Sequence, residues 1–139
     1  MPISFVSFED NGLKKSAIWA VDRSKLESLT EDSFDEPFPE HLRVLLNVTN
    51  PQAQELVIAD SPDHPVLGFP LKTLARYSLT AMIELAQSEF FDLGARYEDG
   101  SLGQQISTAL KIVGIRDVQE FVSKPLVAQN ALIQGAIFR

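Results

Sequence analysis

Cysteine is absent from the 139-residue chain, so neither a disulfide framework nor a thiolate metal site can form, and thiol redox chemistry is excluded. That absence suits a cytoplasmic protein. No apolar run approaches the ~18 residues of a membrane-spanning helix. Residues Met1 to Phe8 lack the basic flank, long apolar stretch and small-residue cleavage site of a secretion signal. Neither membrane insertion nor secretion by a cleaved signal is expected.

Glycine occurs seven times, and Gly94, Gly100 and Gly103 are scattered, with neither the dinucleotide fingerprint nor a Walker lysine. No cofactor is expected. A Gly-x-Ser-x-Gly elbow is also missing, which leaves a serine-nucleophile triad without support. Positive charge is in short supply: the formal net charge is −7. Phosphate backbones repel such a chain, so nucleic acid is not an expected partner.

Apolar residues make up 45% of the sequence and charged residues 22%, a balance that folds into a core. The length suits a single domain, 1–139, that buries roughly 70% of the surface its unfolded chain exposes. No internal repeat or low-complexity tract is present.

Ile3 to Phe8 and Ser16 to Val21 are rich in β-branched and aromatic residues, and Asn11-Gly12 lies between them. Asn-Gly favours a type I′ turn, which predicts a hairpin with Glu9 facing Lys14, and apolar side chains on both faces predict that both are covered. Ser24 and Glu27 have capping-box spacing ahead of a brief helix carrying Leu26 and Leu29. Leu42 to Val48 and Glu55 to Ala59 read as a second hairpin, although Asn50-Pro51 also suits an N-cap and first helical position.

Asp60 to Pro70 is proline-rich and reads as a loop. Leu71 to Leu93 carries a broad apolar stripe and predicts a long helix ended by Gly94, with Tyr77 and Phe91 on an opposite stripe that could pair with a second copy. Ser101 with Gln104 predicts the start of another helix, and Gly114 its end. Asp117 with Glu120 starts a third, and Pro125 interrupts or restarts it. Residues 126–138 fit helix or strand. The fold class is therefore α+β: an N-terminal antiparallel sheet of hairpins packed against C-terminal helices.

Two places could carry function. Asp60, Asp63 and His64 put two carboxylates and an imidazole on one stiff loop, and with His41 they exhaust the histidines. A small metal-dependent or acid/base hydrolase would use such a cluster, but the spacing matches no metal signature, and Asp and Ser beside Pro are ordinary turn formers. Carboxylate pairs such as Asp32 with Asp35 and Glu98 with Asp99 lie in polar, turn-like contexts.

The second place is the acidic segment. Between Asp22 and Glu40 seven carboxylates face two cations, a local balance of −5. Glu27, Glu31, Asp32, Asp35, Glu36 and Glu40 offer long-range attraction to a basic protein, and Phe34 and Phe38 offer apolar anchors. This pattern predicts a non-catalytic binding protein, for example an inhibitor or immunity-type protein that neutralises a nuclease toxin by mimicking its phosphate ligand.

Overall fold

The computed structural model of the chain describes residues 3–53 and 68–138. Strands β1 (Ile3–Val6), β2 (Trp19–Arg23) and β3 (Leu42–Asn47) form one sheet, followed by helices α1 (Gly68–Leu85), α2 (Leu102–Val113), α3 (Val118–Ser123) and α4 (Leu126–Ile137). The fold is α+β, with the sheet N-terminal and the helices C-terminal.

The sheet is mixed, and it corrects the expected hairpin. Its order is β1-β3-β2, with β1 parallel to β3 and β2 antiparallel to it. β3 takes the centre because Leu42, Val44 and Leu46, each 1% exposed, put three large side chains on one face. The Asn-Gly signal is used locally instead. Glu9–Asn11 is a single 3₁₀ turn closed by Gly12 at φ 71°, no non-glycine residue among those described has positive φ, and Asn11 Nδ2 donates to the Ser7 carbonyl at 2.7 Å. Glu9 lies 3.9 Å from Lys15 rather than opposite Lys14.

Among the described residues, helices cover one face of the sheet. Register places Val21 and Val44 side by side on the helix-facing side, whereas Asp22 and Arg43 pair on the other face, both exposed, and meet at 3.2 Å. The second expected hairpin is also revised: residues 51–53 are helical, and Asn50 Oδ1 accepts from the Gln52 N–H at 3.0 Å as an N-cap. The predicted strand at Glu55 to Ala59 lies outside the described residues.

Helix α1 begins at Gly68 and ends at Leu85, short of the predicted Leu93. Ser88 and Asp92 terminate the pattern by bonding their own backbone: Ser88 Oγ accepts from the Phe90 N–H and Asp92 Oδ1 from the Gly94 N–H. Phe91 therefore lies outside the helix and does not share a helical stripe with Tyr77. Tyr77 instead sets its ring edge-on to Trp19 at 4.7 Å.

Helix α2 follows its sequence signals. Ser101 Oγ accepts from the Gln104 N–H, and Gly114 at φ 88° closes the helix while the Ile115 N–H reaches the Leu110 carbonyl at 2.8 Å. Asp117 caps α3 through the N–H groups of Gln119 and Glu120. After Pro125 the ambiguous C-terminal residues form helix α4. The main core joins Phe34, Phe38 and Leu42 to Leu85, Leu102, Ile106 and Leu110, and a smaller cluster holds Val44, Leu46, Ala53 and Leu74.

Candidate functional site

The acidic segment runs from the end of β2 to the start of β3 and consists of three short 3₁₀ turns, Leu26–Ser28, Ser33–Asp35 and Phe38–Glu40. Two buried phenylalanines hold it down. Phe34 is 0% and Phe38 7% exposed, which corrects their expected role: they anchor the segment to its own domain and are not available to a partner. Their burial was invisible in the sequence because an irregular segment has no period to mark its inner face.

Phe34 packs on Phe91 and Tyr97 at ring-centroid distances of 5.4 and 6.2 Å, and Phe91 and Tyr97 stack on each other at 5.8 Å. The Tyr97 hydroxyl accepts from the Asp92 N–H at 2.8 Å. Burial pushes the Tyr97 phenol above its usual 10.0, the Asp92 and Asp35 carboxylates add to the rise, and the bond from Asp92 opposes it.

The segment is also stitched to the entrance of α2. The Leu102 N–H donates to the Glu36 carbonyl at 2.9 Å and the Phe38 N–H to the Gly100 carbonyl at 3.0 Å, while Pro37 and Ser101 form a β-bridge. Asp35 Oδ1 accepts from the Glu98 N–H at 3.3 Å. These contacts bring Glu98 and Asp99, both exposed, beside the segment. The Asp32/Asp35 and Glu98/Asp99 pairs, far apart in the sequence, therefore adjoin.

Glu27, Glu31, Asp32, Asp35, Glu36 and Glu40 are all exposed. The neighbouring cations are already engaged: Arg23 contacts Glu84 at 2.6 Å and Arg43 contacts Asp22 at 3.2 Å. Lys25 is the one cation within the segment itself.

His41 organises the segment's end. Its side chain is 12% exposed, with Nδ1 2.7 Å from Ser24 Oγ and Nε2 3.0 Å from Glu36 Oε1. The capping role expected of Ser24 is replaced by this contact, and the turn at Leu26–Ser28 has no side-chain cap. With a neutral ring, one nitrogen donates and the other accepts; Nε2–H toward the carboxylate and the Ser24 hydroxyl toward Nδ1 satisfies every group. Glu36, Glu40 and His41 bring their ligand atoms within 4.8 Å of one another.

A cleft of about 460 Å³ beside this cluster is lined by Asp22, Arg23, Ser24, Glu40, His41 and Arg43. Hydroxyl, imidazole and carboxylate in a row suggest nucleophilic catalysis, but the Ser24 N–H is taken by the His41 carbonyl at 2.9 Å and so is not offered to an oxyanion. A separate cavity of about 420 Å³ lies between α1, α2, α4 and the sheet, lined by Val44, Leu79 and Met82 among others. None of its lining side chains is titratable, so it offers apolar shape and no acid/base chemistry.

The other predicted cluster, Asp60, Asp63 and His64, lies outside the described residues, and so does any pairing of His64 with His41. No helix among the described residues is long and apolar enough to cross a membrane. Comparison with protein-family models, with curated proteins and with solved structures gave no match.

Proposed function

We propose that this chain is a non-catalytic binding protein of the cytoplasm that presents an acidic face to a basic protein, in the manner of an inhibitor or immunity-type protein blocking a nuclease toxin. The observation that carries this reading is the set of exposed carboxylates from Glu27 to Glu40, joined by Glu98 and Asp99, on a segment pinned by Phe34, Phe38 and the start of α2. A pinned segment loses little conformational entropy on binding, and like charges held together accelerate encounter with an oppositely charged groove.

Affinity on this reading comes from charge and hydrogen bonding at the carboxylates, because both phenylalanines are committed to the core. The test is recovery of the chain from its native host. Expected is a stoichiometric basic partner that dissociates with rising salt and is lost from the Glu31→Lys, Asp32→Lys, Asp35→Lys triple variant, whose circular dichroism matches the parent. Retention of the same partner by that variant, or recovery of the chain alone, overturns the proposal.

A further inference from the structure

The geometry points to a binding site for a divalent transition-metal ion of the zinc class, held by His41 Nε2 with the carboxylates of Glu36 and Glu40. Ligands at roughly 2.0–2.2 Å from a tetrahedral ion lie about 3.3–3.5 Å apart. His41 Nε2 and Glu36 Oε1 stand 3.0 Å apart, and all three ligand atoms fall within 4.8 Å. A small opening of the first pair and an inward rotation of the exposed Glu40 side chain complete the three-ligand set.

The imidazole supplies an observation that does not depend on the acidic character of the segment. Its ring is largely buried and Ser24 Oγ lies 2.7 Å from Nδ1. With the ring neutral, Nε2–H donates to the Glu36 carboxylate at 3.0 Å; a bound ion would take the place of that proton, which would move to Nδ1 and toward the Ser24 hydroxyl. The two atoms that share this proton are the two that would share the ion. A ligating histidine ordinarily has its other ring nitrogen fixed by such a partner, which sets the tautomer and the ring plane.

The frame is prepared before any ion arrives. The His41 N–H donates to the Phe38 carbonyl and the Glu40 N–H to the Pro37 carbonyl, while Phe38 is buried and the prolines at 37 and 39 restrict the turn. One nitrogen and two carboxylate oxygens suit zinc, cobalt or nickel, whereas magnesium and calcium prefer oxygen alone. Glu40 and His41 also line the neighbouring cleft.

This inference stands apart from the docking reading, and its test needs no protein partner. Zinc titrated into the full chain, followed by calorimetry and by the His41 ring signals in NMR, is expected to give one ion per chain with a shift centred on Nε2, and no response to magnesium. Ser24→Ala, a positioning change, should weaken zinc by about 10–100-fold. Glu40→Gln, which alters an exposed side chain and leaves the fold intact, should weaken it at least tenfold, and His41→Ala should abolish it. Unchanged zinc binding in Glu40→Gln and His41→Ala, or no one-to-one binding by the parent chain, overturns the site.

Discussion

Ser24 and His41 are joined twice, by the Ser24 N–H donating to the His41 carbonyl at 2.9 Å and by the Ser24 hydroxyl lying 2.7 Å from His41 Nδ1. One residue follows β2 and the other precedes β3, so the pair closes the base of the acidic segment. Ser24→Ala keeps the backbone bond and removes the other. Stability should fall by about 1 kcal/mol, and limited proteolysis should cut between residues 25 and 40 faster. An unaltered urea midpoint with unaltered cleavage would show that the hydroxyl contact does nothing for the loop.

Asn47 is the principal buried polar side chain of the sheet, at 0% exposure. Its Nδ2 donates to the carbonyls of Lys15 and Ala17, each at 2.9 Å, and its Oδ1 accepts from the Thr49 hydroxyl at 2.7 Å and the Phe8 N–H at 3.4 Å. These bonds tie the β1–β2 connection to the central strand. Asn47→Ala strands several of those groups without partners, and chemical denaturation should register a loss of about 3 kcal/mol. A loss below that of an ordinary surface change would contradict this role.

Gly103 lies against the ring of Tyr97. A Cβ at that position would stand 2.6 and 2.7 Å from the two Cδ atoms and closer still to Cγ. Gly103→Ala must therefore displace Tyr97 from its stack on Phe91, at a cost of about 1–3 kcal/mol and with a changed near-ultraviolet circular dichroism. Gly135, in α4, has nothing within 4 Å of its added Cβ. Gly135→Ala should instead stabilise the protein by about 0.5–1 kcal/mol.

Tyr97 also predicts an alkaline response. Its phenol is raised above 10.0 in the folded state, so the unfolded chain loses that proton first as pH climbs. The stabilisation is complete below 10.0 and disappears as pH passes through the higher folded value. Urea midpoints measured up to about pH 11 should fall more steeply for the parent than for Tyr97→Phe. Parallel slopes would refute the assignment.

The ends of α2 were legible because caps are local chemistry: Ser101, Gln104 and Gly114 act on backbone groups within one turn. The cap of α3 at Asp117 was legible for the same reason. Strand pairing was not. The preference of Asn11-Gly12 for a tight hairpin is worth little beside the burial of Leu42, Val44 and Leu46, and placing β3 centrally separates the two strands that Asn11 and Gly12 appeared to join. The overlong reading of α1 had a similar origin, since Phe90 and Leu93 continue the apolar spacing while Ser88 and Asp92 redirect the backbone.

What the sequence determined by itself was composition-level and local: a negatively charged α+β chain without thiols, its carboxylates crowded between Glu27 and Glu40, and helix starts at Ser101 and Asp117. Only the tertiary structure decided that Phe34 and Phe38 face inward, that Glu98 and Asp99 join the acidic segment, and that Ser24, Glu36 and His41 meet. The physical reason is range. Capping and charge density are set by neighbours a few residues apart, whereas burial and side-chain convergence follow from which distant surfaces exclude water together.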